Sequence, residues 1–490
     1  MSYHLCTIVE GTKLELRDLS HYCTSIRGLG FDRDLIVDAF YAMYSAITGF
    51  IKFFSSETRR IFGLRLRIDS PPPRIVGSHL LTGFWSGIFE YAMRDKLVRI
   101  IILPRLRNYT RMLRVADEVL LGISRRFYLL SRISMAASTT ISIHPVFLRL
   151  LVELNRLLLY EQRRICRYDH GASGTRILFN GFNVNGEPLY TALKHICSPN
   201  KTFLTTIVLT IREMAHILRM VEEVGKTDLA RIIQQAEYAD KAPQLLSLIE
   251  KYVLELRRTL EFLLSDEIVQ QALAITDLEL EGLEKYSHIL TAIHRLRKGA
   301  AYSLLRDVTG RERARFILFP STKLYELYVY ANILQALANG DGYLYREPLT
   351  VDVVGKGVSA YFNHVDPSMS RFIAPLIRRA PTPDIVLSSN GKVVVVDAKY
   401  RDINEKRIRL TLGDVERLAA YLLDVAKDTR LLATIVALKK PKEKIIEHVR
   451  KKIKAIDSKI IDVEFIELNP DTEEDPYNKL KPLIEYLTGS

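Results

Sequence analysis

Asp384, Asp397 and Lys399 fall within one stretch, Pro381–Arg401, at a spacing that could do chemistry on a phosphate ester. Ile385–Leu387 and Val393–Val396 are short apolar, β-rich runs joined by Ser388-Ser389-Asn390-Gly391, a turn signal that predicts a hairpin. Asp384 enters the first run and Asp397 closes the second. Strand side chains alternate between faces, so Asp397 and Lys399 point the same way. Two carboxylates and a lysine at the end of a hairpin destabilise it unless something binds there. The natural occupant is a hard divalent cation held by oxygen ligands, with the lysine beside it. The alternative is a surface Asp–Lys pair at a charged strand end. The bare pattern, Pro-Asp, twelve residues, then Asp-x-Lys, arises by chance in roughly one chain in five of this length. Its context, four consecutive valines running into Asp397, favours the site.

Several elements must position this hairpin. Thr322–Leu337 reads as a helix with Thr322 as N-cap and Leu324, Leu327, Tyr328, Ala331, Leu334 and Leu337 on its apolar face. Glu326 stands in its first turns, where the helix dipole favours a carboxylate, so capping or solubility is the alternative to a role at the site. Tyr343–Val354 predicts one or two strands and Val358–Phe362 another. After the hairpin come a helix over Thr411–Ala426, a strand over Leu431–Leu438, a basic helix over Lys442–Lys454 and a last strand over Ile461–Leu468.

The rest of the chain divides by composition. Residues 1–110 read as a mixed α/β region, 111–300 as mainly helical, and 301–490 as the region carrying the hairpin. Leu5–Leu16 suggests a hairpin about Glu10-Gly11; Asp32–Phe54 has helical period, Gly63–Ile68 alternates as a strand, and Val98–Leu103 is a strand ended by Pro104. Arg105, Arg107, Arg111, Arg114, Arg125, Arg126 and Arg132 could form a phosphate-contacting face. The favoured reading is a solvated helix surface pairing with Asp117 and Glu118. His144–Arg164 is an amphipathic helix, and Cys166–Pro199 an irregular polar region long enough to be a functional loop. From Thr202 to about Arg297 the chain is helical, with Leu245, Ile249, Val253, Leu256, Leu260 and Leu263 at core spacing. His216, His288 and His294 lack metal-ligand spacing, and Trp85 reads as a core residue. Gly299–Arg315 is a basic link to a separate C-terminal domain.

The chain has 490 residues, 48% of them hydrophobic and 26% charged, which is enough for two or three domains and fits an ordinary globular composition. A formal charge of +13 favours an acidic partner, nucleic acid or an anionic surface. The four cysteines, Cys6, Cys23, Cys166 and Cys197, show no zinc spacing, and a reducing, cytoplasmic compartment is expected. No secretory leader is expected, and Phe40–Phe54, interrupted by Lys52, reads as a buried helix rather than a membrane span. Scarce Gln with abundant Ile, Leu, Arg, Lys and Glu leans toward a thermophilic source.

The order of elements, together with Glu326, Asp384 and Asp397-Ala398-Lys399, resembles the PD-(D/E)XK nuclease superfamily. The resemblance is nearest to the nuclease domains of McrC-type restriction subunits and related proteins with an uncharacterised domain before the nuclease. It is carried by Leu324-Tyr325-Glu326-Leu327-Tyr328-Val329-Tyr330, Thr382–Leu387 and Val395–Arg401, and covers about residues 315–440. It implies an α/β multi-domain chain whose C-terminal part is a restriction-endonuclease-like core, a central mixed sheet flanked by helices. Glu326, Asp384, Asp397 and the Ala398 carbonyl are the implied ligands of Mg²⁺, with Mn²⁺ able to substitute. Lys399 is the implied catalytic lysine beside the attacking water. Where the family often has a Gln and a Tyr on the next helix, this chain has Arg417 and Tyr421, which with Arg401 are the implied nucleic-acid contacts. Tyr400 is a candidate for supporting or DNA-backbone contact, strand-end packing being the alternative. The implied function is a DNA endonuclease of a prokaryotic restriction or defence system. The chain contains no G-x-x-x-x-G-K-[ST] loop, so the implied motor is a separate AAA+ NTPase. The other functions to weigh are a DNA-repair or RNA-cleaving nuclease and a non-catalytic adaptor. Oligomeric state is not legible.

Overall fold

In a computed structural model the described residues are 2–26, 30–62, 68–124, 166–170, 176–182, 188–197, 201–225, 238–275, 278, 312–338, 343–347, 350–365, 369–370, 383–402, 412–425, 430–454 and 460–489. The chain is mixed α/β and multi-domain. One compact unit comprises Met1–Ile143, Val224–Lys251 and Tyr302–Ser490; the other comprises His144–Glu223 and Tyr252–Ala301.

The first unit begins β1 (Ser2–Val9), β2 (Lys13–Glu15), α1 (Leu19–Tyr22), β3 (Cys23–Ile26) and α2 (Arg33–Phe62). Next come β4 (Arg74–Val76), β5 (His79–Leu81), β6 (Trp85–Met93), β7 (Lys96–Leu103) and α3 (Tyr109–Ser124). β1 and β2 do not form the expected hairpin. β1 lies parallel to β7 in a larger sheet, whereas β2 pairs with β5 in the small sheet β2-β5-β4. Gly11, at φ +74°, redirects the chain between the two sheets. Leu35, Ile36, Ala39, Phe40, Met43, Ile47 and Phe50 form a buried stripe along α2, at the three- and four-residue steps of a helix that covers a sheet. By length and composition the Arg33–Lys52 part of α2 could also cross a membrane. Trp85 is fully buried and its indole N–H donates to the Ser70 carbonyl. Cys6 and Cys23 form a disulfide, which corrects the expectation of reduced thiols for these two residues. Antiparallel pairing of β1 with β3 sets them opposite each other, a relation invisible in sequence spacing.

The second unit corrects the irregular reading of residues 166–199. β8 (Cys166–His170), β9 (Arg176–Phe182) and β10 (Pro188–Cys197) form an antiparallel sheet in the order β8-β10-β9. β8 finds its partner some 25 residues away, beyond β9 in the chain. α4 (Lys201–Gly225), α5 (Ala242–Leu264) and α6 (Glu267–Leu273) bear out the helical reading where they are described. Asp266 caps α6 by accepting from the Ile268 and Val269 amides. The predicted strand at Gly63–Ile68, helix at His144–Arg164, His288, His294 and Arg125, Arg126 and Arg132 fall wholly or mainly outside the described residues.

β11 (Glu312–Pro320) overturns the linker reading at its C-terminal end. It joins the edge of the first sheet, giving the order β11-β6-β7-β1-β3, and runs directly into α7 (Ser321–Ala338). α7 opens one residue before the expected cap and is buried nearly all round rather than on one face. β12 (Tyr343–Glu347), β13 (Thr350–Val353), β14 (Val358–Phe362), β15 (Ile385–Ser389), β16 (Lys392–Asp402), β17 (Arg430–Lys439) and β18 (Ile460–Glu467) then form one sheet in chain order. Pairings from β12 to β16 are antiparallel, and β16-β17-β18 are parallel. α8 (Leu412–Val425) and α9 (Glu443–Lys454) supply the parallel crossovers, so the sheet is mixed and flanked by helices. α10 (Pro476–Thr488) was not foreseen and packs against α7.

β11 reaches β6 only because Gly87, at φ +145°, has no side chain. A Cβ there would sit 1.9 Å from the Ile317 carbonyl oxygen. Gly87→Ala is therefore expected to destabilise the fold by about 2–4 kcal/mol through backbone strain and displacement of β11. Chemical denaturation checks this; an unchanged midpoint would contradict the β6–β11 register.

Candidate metal-dependent active site

The hairpin forms with the tightest turn its sequence allows. Ser389 pairs with Lys392, and the two loop residues Asn390 and Gly391 both have positive φ, 42° and 74°, as a type I′ turn requires. β16 then continues to Asp402, so Asp397 lies within the strand rather than closing it. The extension is possible because β17 pairs alongside Asp397, Ala398 and Lys399 after β15 has ended. Val393 and Val395 belong to the core formed with Leu418, Leu422, Ile446 and Val449 of α8 and α9. Strand alternation puts Asp397 and Lys399 on that same face and Ala398 and Tyr400 on the other.

Asp397 and Lys399 are 5% and 8% exposed, and the ammonium donates to Asp397 Oδ1 at 2.7 Å. Arg417, on α8 and partly exposed, approaches the same oxygen at 3.8 Å. Asp397 Oδ2 is buried and has no hydrogen-bond partner. Asp384 precedes β15 and accepts from the Ala398 amide at 2.8 Å, which fixes it across the hairpin. Burial pushes its carboxyl well above the usual range, and the negative charges of Glu326 and Asp397 push it further; Lys399 and Lys323 oppose them only in part.

Glu326 is buried on α7 and forms an ion pair with Lys323, one turn back. Asn363 joins both: its carbonyl accepts from Lys323 at 2.5 Å and its amide donates to Glu326 at 3.1 Å. The Asn363 side chain and main chain also donate to the Asp384 carbonyl, at 3.2 and 2.9 Å. Burial raises the Glu326 carboxyl, with Lys323 opposing the rise. Lys323 and Asn363 were missed in the sequence. Asn363 at φ +55° adopts a backbone that asparagine tolerates, but no local pattern marks it as a site residue.

The predicted residues are thus brought together unevenly. Asp384 and Asp397 crowd one place, while the Glu326 carboxylate is engaged by Lys323 and Asn363. Among the described residues no three His, Cys, Asp or Glu side chains stand together in a metal-holding group. Two crowded carboxylates, one with a buried oxygen lacking any partner, nevertheless suit a hard cation that takes one or two carboxylates and fills its remaining positions with water. Tyr421 packs beside the α8–α9 core, and the Arg401 side chain lies outside the described residues. Tyr400 is 3% exposed, and its hydroxyl donates to Glu10 at 2.6 Å, so it supports the fold from behind and does not face a ligand.

Arg107 precedes α3 and Arg111 and Arg114 lie on it; the expected partners Asp117 and Glu118 have side chains outside the described residues. Arg107 pairs with Asp240 at 3.2 Å, and Arg111 donates to the carbonyls of Pro470 and Thr472. Arg111 and Arg114 also line a cavity of about 610 Å³ with Lys251 and Glu473.

No family model matches the chain, and no curated protein matches it. Among solved structures it is similar to a chain of the half-complex from the tetradecameric assembly of Thermococcus gammatolerans McrB AAA+ hexamers with bound McrC. The sequence identity is 13% and the TM-score 0.35, over 98% of this chain and 100% of that chain.

The crowding of Asp384 sets a pH dependence. Its folded pKa is raised above the ordinary 3.8, so its contribution to stability is fully present below that value and is lost as pH rises through the folded value. Asp384→Asn keeps an acceptor for the Ala398 amide and removes the charge. In metal-free buffer the variant is expected to melt above the wild type, by a margin that grows from about pH 4 to about pH 8. A margin that shrinks or reverses over this range would contradict the crowding.

Proposed function

We propose that the chain is a metal-dependent DNA endonuclease of the PD-(D/E)XK type, the nuclease subunit of a prokaryotic restriction or defence system that works with a separate AAA+ NTPase. The observation that carries this reading is the pairing of Lys399 with Asp397 on one buried face of β16, beside Asp384, with Asp397 Oδ2 left without a partner. A lysine bonded to the carboxylate two residues before it in a strand supports a role in phosphodiester hydrolysis.

Asp384, Asp397 and the Ala398 carbonyl would hold Mg²⁺, or Mn²⁺ in its place, which supplies Lewis acidity and a water of lowered pKa. The Lys399 ammonium is held against Asp397, where it would orient a water and stabilise the charge growing on a phosphate oxygen. Burial of the pair excludes bulk water and strengthens that effect. Arg417, partly exposed at the same carboxylate, would take a second phosphate oxygen. Glu326 contributes through the hydrogen-bonded chain to Asn363 and the Asp384 carbonyl.

The NTPase partner and the restriction setting rest on the three resembling segments and on the absence of a nucleotide-binding loop in the sequence. Action on DNA would put the protein in the cytoplasm. A DNA-repair or RNA-cleaving nuclease would use the same phosphate chemistry. A non-catalytic adaptor is disfavoured, because crowded carboxylates destabilise a domain that only binds.

Cleavage of plasmid DNA, single-stranded DNA and RNA with Mg²⁺ or Mn²⁺, alone and with a neighbouring AAA+ protein, tests the proposal. Asp397→Ala and Lys399→Ala are each expected to lower cleavage by about 100-fold or more. Mg²⁺ is expected to raise the melting temperature of the wild type and not of Asp397→Ala. Equal activity in wild type and both variants would sink the site assignment, and preferred cleavage of RNA would move the reading to its alternative.

A further inference from the structure

We propose that Glu10, from the N-terminal region, is a positioning residue of the nuclease site, holding with one carboxylate both elements that carry its charges. The inference rests on the nuclease reading above and extends it to a part of the chain that no site motif reaches.

Glu10 follows β1 and is 1% exposed. Its Oε1 accepts from the Tyr400 hydroxyl at 2.6 Å and from the Arg105 amide at 3.0 Å. Its Oε2 accepts from the Ser321 hydroxyl, which also lies 2.9 Å from the Tyr109 hydroxyl and 3.3 Å from that of Ser86. Tyr400 directly follows Lys399 in β16, and Ser321 is the first residue of α7, the helix that bears Lys323 and Glu326. The two carboxylate oxygens therefore tie the strand with Asp397 and Lys399 to the helix with Glu326.

The alternation of β16 makes this tie mechanical. Tyr400 projects to the face opposite Lys399, so anchoring its ring restrains the pleat that aims Lys399 and Asp397 at each other. Tyr325 of α7 and Phe84 flank the same ring, with centroids at 5.7 and 6.0 Å. Apolar packing alone could bury Tyr400; it would not set the distance between β16 and the start of α7. A buried carboxylate is costly unless fully hydrogen-bonded, and Glu10 gains its bonds from both elements at once. Burial raises its carboxyl, and the bonds from Arg105, Ser321 and Tyr400 oppose the rise.

The test compares Glu10→Gln, Tyr400→Phe and their double variant with Glu90→Gln in the full-length protein. Glu90 forms a buried ion pair with Arg99 between β6 and β7 and serves as a control for stability alone. A carboxamide at Glu10 must present its NH₂ to one of the two hydroxyl groups. Glu10→Gln is expected to lower kcat about tenfold with KM for DNA within twofold, and to weaken Mn²⁺ binding about tenfold in a titration followed by the free-ion EPR signal. Tyr400→Phe is expected to lower kcat similarly, and the double variant to be no worse than either single change. Glu90→Gln is expected to lower the melting temperature with kcat and Mn²⁺ affinity unchanged. If Glu10→Gln fails to fold, Tyr400→Phe against Glu90→Gln decides. Unchanged kcat and Mn²⁺ affinity in the folded variants, or losses in Glu90→Gln equal to theirs, would overturn the positioning role. If the wild type neither binds Mn²⁺ nor cleaves nucleic acid, the nuclease reading itself fails, a result distinct from a wild type that cleaves with Glu10 dispensable.

Discussion

Charge buried beside the sheet β12–β18 is the constraint around which the C-terminal half is built. Asp397 and Lys399 sit on an interior strand, and Lys323 and Glu326 on a helix nine-tenths or more out of water. Taking such groups from water costs several kcal/mol each unless close, well-aligned partners replace the solvent. The replacements are specific. Lys399 neutralises one oxygen of Asp397, Lys323 neutralises Glu326, and Asn363 joins Glu326 to the backbone at Asp384. The incomplete member is Asp397, whose second oxygen has no partner, next to Asp384, whose carboxyl is crowded by two neighbours. These gaps are what the proposed cation would fill.

That arrangement depends on residues from the other end of the chain. β11 is the edge strand of the N-terminal sheet, yet Pro320 leads without a linker into Ser321 of α7. The register of β11 on β6 therefore sets where the helix that carries Glu326 begins. Gly87 permits the close approach of β6 and β11, and Glu10 bonds Ser321 and Tyr400. The N-terminal sheet thus acts as the seat on which one wall of the site is mounted.

What was legible in the sequence follows from the range of the interactions. The β15–β16 hairpin was readable because Asn390-Gly391 specifies its own turn, and Asp397 and Lys399 because a period of two puts them together. The helices and strands after it were readable because amphipathic periods are local. α10 could have been read as well: Asp475 caps it, Pro476 opens it and Gly489 closes it at φ +74°. Lys323 could be read as the i,i+3 partner of Glu326, but its link to Asn363, and Glu10 and Asn363 themselves, could not. Glu10 meets Tyr400 across 390 positions and Lys323 meets Asn363 across 40, and no spacing rule spans such distances. The same limit explains the misplaced β1–β2 hairpin and the missed β8, whose true partner strands lie beyond the adjacent segment; β9 and β10 are neighbours in the chain and pair directly.

α7 shows why those distant polar contacts matter. An amphipathic helix is oriented by its apolar face, but α7 is buried on every side, so hydrophobicity leaves its rotation about its own axis undetermined. Directional bonds supply what the hydrophobic effect lacks. Ser321 is held by Glu10, Lys323 by Asn363, Tyr325 by the Leu468 carbonyl at 2.8 Å, and Tyr330 by the Ala360 carbonyl at 3.2 Å. These partners come from the N-terminal region, the segment joining β14 to β15, the end of β18, and β14 itself. A rotation by one residue, about 100°, would break all four together and turn Glu326 away from Asn363. The polar residues in this apolar helix are what fix its register, and the position of Glu326 follows from that register.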